Sequence, residues 1–144
     1  MPTYLCYAAA GRLAGEQKQR IARTLTAIHS EEARAPTYFA EVIFREFQPE
    51  DFYLGGEPGP ASQIFIHGNI RAGRSPEQRS RLLLRVCDDI SAIAGVPREE
   101  VWVYLSELEP GNMVEYGALL PPPGQEEAWF QALPASLQAR LRKD

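Results

Sequence analysis

Basic residues are in short supply: 15 Lys and Arg stand against 19 Asp and Glu, a formal charge of −4 at pH 7. Phosphate binding needs clustered excess Lys and Arg, so this balance argues against a nucleic-acid groove. Thiols are scarce as well. Cys6 and Cys87 are far apart, without CxxC spacing or a His cluster, and give no metal signal. Each is flanked by apolar residues and is expected to be a buried structural thiol. No apolar run approaches the ~18–20 residues of a membrane span. The start, MPTYLCYAAAGRL, lacks the basic n-region and long apolar h-region of a signal peptide. The chain is therefore expected in the cytoplasm, with no nucleic-acid and no membrane partner.

What is present is an internal repeat. Sliding the sequence by 61 residues aligns 16–47 with 77–108 without a gap. Glu16/Glu77, Arg20/Arg81, Ser30/Ser91, Pro36/Pro97 and Glu46/Glu107 are identical, and Thr3–Tyr7 falls opposite Ile64–Gly68. Each copy reads as strand, helix, strand. The first begins with a β-rich stretch over 2–9 and continues with Ile21, Leu25 and Ile28 at helical spacing within 15–33. Pro36 ends that helix, and 38–47 returns to β-branched and aromatic residues. In the second copy 63–70 reads as a strand. Ser75-Pro76-Glu77-Gln78 starts a helix with a capping box, Gly95 and Pro97 stop it, and 101–105 (VWVYL) reads as a buried strand.

Two tandem β-α-β units predict an α+β fold: a four-stranded sheet with both helices on one face. The other face then needs a cover, and 144 residues leave no second domain to supply it, so the chain is expected to oligomerise. The expected organisation is one domain over 1–144, with repeat units of about 2–47 and 63–108 and a C-terminal extension over 109–144. Gln48–Ala61 reads as a Gly/Pro-rich loop and 113–120 as extended. Residues 126–143 read as one or two short helices broken near Pro134.

Few residues in this frame suggest chemistry. Pro2, once Met1 is removed, is a secondary amine at the head of a strand. An α-amino group titrates near ~8, so local fields can make it acid or base near neutral pH. Arg71 and Arg74 lie between a strand end and a capped helix N-terminus, where anions are favoured and two guanidiniums could clamp a carboxylate. Taken alone, they read equally as solvated surface arginines. His29 borders the apolar face of the first helix, the position of a core histidine or of a donor to a substrate oxygen. Glu115, in the mostly apolar segment around NMVEYG, suits a general base, and Tyr104 could orient a water for it. His67, on a strand, reads as structural.

The tandem plan, Pro2 and this polar set resemble the tautomerase superfamily, and more narrowly the cis-3-chloroacrylic acid dehalogenase group. The likeness covers nearly the whole chain and is tightest at IFIHGNIRAGRS (64–75), EEVWVYLSEL (99–108), NMVEYG (112–117) and 123–130. The resemblance implies that Pro2 is the catalytic proline and that His29, Arg71 and Arg74 bind a small carboxylate substrate. It implies that Tyr104 and Glu115 activate water, that no metal or organic cofactor takes part, and that the chain is a homotrimer. The activity it implies is hydrolytic dehalogenation of a small unsaturated acid such as cis-3-chloroacrylate to malonate semialdehyde. Hydration of acetylenic acids such as propynoate and keto–enol tautomerisation stand as alternatives. A non-enzymatic binding role on the same fold is weighed against by the complete polar set.

Overall fold

The computed structural model describes residues 2–142. The expected removal of Met1 and the last residue of the expected helical tail, Lys143, lie outside the described residues. In chain order the elements are β1 (Thr3–Ala9), α1 (Gly15–Ala33), β2 (Glu41–Phe47), β3 (Tyr53–Leu54), β4 (Glu57–Pro58), β5 (Ile64–Arg71) and α2 (Pro76–Ala94). Next come β6 (Val101–Leu108), β7 (Val114–Glu115), β8 (Ala118–Leu119), α3 (Glu126–Gln131) and α4 (Ala135–Leu141). Single 3-10 turns lead into β2 and β6, at Thr37–Phe39 and Arg98–Glu100.

The main sheet has the order β2-β1-β5-β6. β1 and β2 are parallel, as are β5 and β6, because each pair is joined by a crossover helix. The two units meet through an antiparallel β1–β5 pairing, with Thr3 opposite Asn69 and Tyr4 opposite Gly68. Strand alternation sends Tyr4, Cys6, Ile64 and Ile66 to one face. There they pack with Ile21, Leu25 and Ile28 of α1 and Leu82, Val86 and Ile90 of α2 in one buried cluster. Both helices therefore cover the same side of the sheet.

The sequence repeat survives as repeated local chemistry. Gln17 and Gln78 each accept a hydrogen bond through the side-chain oxygen from a backbone N–H, those of Ala14 and Ser75. Ser75 completes its box by accepting from the Gln78 N–H at 3.1 Å, which Ala14 cannot do. At the other end Ser30 and Ser91 donate to the carbonyls of Ala35 and Val96 at 2.6 and 2.7 Å. The helices end in left-handed residues at matching places, Arg34 (φ 51°) and Gly95 (φ 67°).

Four expectations need correction. The strand expected over 38–47 begins at Glu41, because Pro36 leads first into the 3-10 turn. β6 is buried on one side only: Val101 joins the core and Val103 and Leu105 pack against it, but the strand is the sheet edge, and Trp102 and Tyr104 on its open side are 39% and 55% exposed. Residues 113–120 are not one extended segment. Tyr116 (φ 53°) and Gly117 (φ 80°) fold them into the β7–β8 hairpin, since positive φ at both central residues matches the strand twist. Cys6 is buried, which pushes its thiol up to about 12, but Cys87 is only half-buried. The loop over 48–61 also carries a small hairpin, β3–β4. Among the described residues no helix is long and apolar enough to cross a membrane.

Candidate active site

The antiparallel β1–β5 pairing brings the start of β1 and the end of β5 to one end of the sheet. Pro2 lies there, buried, and its carbonyl accepts from the Glu41 N–H at 2.9 Å. Arg71 ends β5, and Arg74 follows one short turn before Ser75 caps α2. Because α1 runs back against β1, its last turns reach the same end and deliver His29. Chain topology thus gathers four of the sequence-predicted residues from three elements.

His29 is 3% exposed, and its Nδ1 lies 2.9 Å from the Tyr4 hydroxyl. Desolvation, with Arg74 and Arg71 nearby, pushes the imidazole down to about 3, so it is neutral across the physiological range. Tyr4 is itself buried and its phenol is shifted upward by desolvation, so its hydroxyl keeps its proton. In the tautomer in which that hydroxyl donates to Nδ1, the neutral ring carries its proton on Nε2, where it can serve an oxygen ligand. Sequence reasoning missed Tyr4, although its place on the inward face of β1 follows from strand alternation. Gly68 makes the arrangement possible: a Cβ there would stand 2.6 Å from Tyr4 Cε1 and 2.9 Å from Leu105 Cδ2.

The depressed His29 has a consequence for stability. A group whose folded value lies below its unfolded one favours folding above the unfolded value, near 6.5, and loses that contribution as pH falls toward about 3. In thermal unfolding the Tm difference between wild type and His29→Gln should therefore stay constant above pH ~6.5 and change steadily below it. A difference independent of pH would show that His29 does not titrate in this way.

Arg71 is 1% exposed. Its Nη1 donates to the Pro121 carbonyl at 2.6 Å, and its Nη2 donates to the Glu126 carboxylate. An arginine has more N–H donors than these two contacts use. The Nε atoms of both Arg71 and Arg74 are buried with no partner among the described residues. Arg74 is half-buried; desolvation and the Arg71 charge beside it push its guanidinium below the ordinary value. Glu126 was missed as well, although it lies in the stretch 123–130 that carried part of the resemblance.

Glu115 lies on the β7–β8 hairpin and lines an open cleft of about 690 Å³ with Thr3, Tyr38, Glu41 and Met113. Thr3 follows Pro2 directly, so the cleft adjoins the sheet end that holds the arginines. The Tyr116 hydroxyl donates to the Tyr38 carbonyl and ties the hairpin down. Pro2, His29, Arg71 and Arg74 are not among the residues lining this cleft, and Arg71 is held instead against Pro121 and Glu126. Tyr104 does not join the group within one protomer. It projects from the open face of the sheet edge, edge-to-face with Phe65 at 5.0 Å and paired across the strands with His67. His67 bonds Ser106 at 2.7 Å, in keeping with a structural role.

A fold of two β-α-β units joined by an antiparallel strand pairing matches known proteins. The family model described as "putative oxalocrotonate tautomerase enzyme" matches residues 1–132. The crystal structure of N1, a member of the cis-3-chloroacrylic acid dehalogenase (cis-CaaD) family, is 38% identical, with a TM-score of 0.96 and 99% of each chain covered. The chain belongs to the tautomerase superfamily, within its cis-3-chloroacrylic acid dehalogenase group. Two further structures share the fold. A fused 4-OT asymmetric trimer is 22% identical at a TM-score of 0.75, covering 81% of this chain and 94% of that one. The FG41 malonate semialdehyde decarboxylase inhibited by 3-bromopropiolate is 20% identical at a TM-score of 0.71, covering 92% and 99%. No curated protein matches the chain.

Proposed function

We propose that this protein is an enzyme that adds water to small α,β-unsaturated carboxylates through Pro2 freed of Met1, with hydrolytic dehalogenation of cis-3-chloroacrylate as the reaction. The observation that carries this reading is the pair of buried guanidinium Nε–H groups on Arg71 and Arg74 without partners among the described residues, at the N-terminal end of α2 and at the sheet end where β1 begins. Buried donors without acceptors are costly, and a carboxylate satisfies two of them at once. His29 Nε2 adds a neutral donor from the facing helix. The 38% identity to a protein of the dehalogenase family supports the choice of chemistry.

In this reading Glu115 takes a proton from water in the cleft, and the hydroxide adds to the β-carbon. The π electrons move toward the carboxylate as an enediolate, whose charge Arg71 and Arg74 stabilise. The protonated Pro2 amine gives its proton to the α-carbon. The resulting chlorohydrin loses its hydroxyl proton and expels chloride, leaving malonate semialdehyde. Propynoate hydration uses the same groups. Tautomerisation needs instead a neutral Pro2 that removes a proton next to a carbonyl.

The protein is proposed to act as a homotrimer, as a fused 4-OT does. The open sheet face with its exposed Trp102 and Tyr104 is the surface such an assembly would cover. Covering it is also the way in which Tyr104 could meet a site, that of a neighbouring copy.

The test is an NMR assay of Met-processed protein with cis- and trans-3-chloroacrylate, propynoate and phenylenolpyruvate side by side. Cis-selective malonate semialdehyde formation is expected, and Glu115→Gln should abolish it while sparing ketonisation of the enol. Ketonisation alone in the wild type would discard the hydrolytic reading and keep the proline.

A further inference from the structure

The C-terminal extension closes over Arg71. Its carbonyl at Pro121 and its carboxylate at Glu126 both accept from the guanidinium, and Pro123 lies over the turn between Arg71 and Arg74. Gly73 (φ 110°) permits that approach, since a Cβ there would stand 2.8 Å from Pro123 Cγ. α3 does not need Glu126 to dock. Phe130 is buried, Trp129 packs on Phe39 with ring centroids 5.1 Å apart, and its indole donates to the Leu119 carbonyl at 2.8 Å. What Glu126 alone supplies is a negative charge against a cation whose side chain is wholly screened from water. Desolvation is the largest single influence on the Glu126 carboxyl and raises it, yet the hydrogen bond and charge of Arg71, together with backbone hydrogen bonds, hold the carboxyl below its ordinary value.

The charges around the two arginines can be counted. Arg71 and Arg74 carry one positive charge each, and Glu126 cancels one of them. Glu107 acts on Arg74 but is itself paired with Arg79 at 3.4 Å, and Glu32, beside Arg74, is held by Arg81 and Arg85 at 2.9 Å each. His29 is neutral. In the proposed mechanism the protonated Pro2 amine and the Glu115 carboxylate offset one another, so one net positive charge remains for a ligand.

We propose that Glu126 determines the charge specificity of the site: by neutralising and orienting Arg71 it leaves room for one negative charge, so small monocarboxylates are selected over dicarboxylates. The inference rests on the anion-site reading of Arg71 and Arg74 above. Removing the Glu126 charge alone leaves two uncancelled cations, which favours a dianion. Removing Arg71 and Glu126 together leaves the count, and hence the preference, unchanged.

Calorimetric titration of the full chain with acrylate and with malonate, a three-carbon monoanion and dianion, tests this. Wild type should bind acrylate more tightly. Glu126→Gln should move the affinity ratio toward malonate by about tenfold or more, the order expected for one unscreened charge nearby. Glu126→Asp should return it. The paired change Arg71→Met with Glu126→Leu, which replaces a buried ion pair by apolar groups and so spares the fold, should weaken both ligands but keep the wild-type preference. A folded Glu126→Gln whose ratio stays within about twofold of wild type overturns the inference, as does a paired variant that shifts as far as the single one. If wild type binds neither acid and Arg74→Gln changes nothing, the anion site itself is wrong and the selectivity falls with it.

Discussion

Arg71→Ala is expected to abolish turnover and to cost the fold about 3 kcal/mol at once, because a buried ion pair loses its cation. The side chain has no access to water, and its removal strands the Glu126 carboxylate and frees the Pro121 carbonyl. Glu126 retains 18% side-chain exposure and can partly rehydrate, which keeps the cost near the low end of what breaking buried pairs shows. Arg74→Ala separates the two effects. It is only half-buried and bears no protein ion pair among the described residues, so stability should change little. Its kcat/KM should fall by about two orders of magnitude, the loss of one charge-stabilising donor worth about 3 kcal/mol in the transition state. Urea unfolding and steady-state kinetics on the two variants check this together. An Arg71→Ala protein as stable as wild type would place Arg71 outside the buried network, and an Arg74→Ala protein with unchanged kcat/KM would remove Arg74 from the clamp.

The second large effect concerns the amine of Pro2. A residue retained before Pro2 turns its nitrogen into an amide that neither accepts nor donates a proton near neutral pH. Preparations that keep Met1 should therefore show no turnover above background. Pro2→Ala keeps an α-amine but alters its basicity and placement. It should lose about two to four orders of magnitude, the usual range for a positioned acid or base. The fold should tolerate that change, since the contact to the Glu41 N–H is made by the Pro2 carbonyl, which alanine retains. Intact mass, which reads Met1 removal, paired with progress curves on the same samples decides the matter. Full activity in Met1-retaining protein would refute any proline mechanism.

The repeat and most of the local structure are legible in the amino-acid order alone. α1 over Gly15–Ala33 and the capped start of α2 at Ser75-Pro76 are where apolar spacing and cap residues put them, because helix period and orphan N–H groups are local constraints. The sheet with both helices on one face follows from two crossovers of the same hand. Pro2, His29, Arg71 and Arg74 are legible because β1, β5 and the end of α1 must converge at one sheet end. Contacts distant in the chain settle the remainder. Whether β6 is central or an edge depends on which strands the two units share, and that pairing is non-local, so Tyr104 comes out exposed on the open face. The hairpin that presents Glu115 hangs on positive φ at Tyr116, a residue that does not announce a turn. Tyr4 reaches His29 across 25 residues and Glu126 reaches Arg71 across 55. No periodicity encodes such pairs. They exist because a buried imidazole and a buried guanidinium must each find a partner once the core has closed around them.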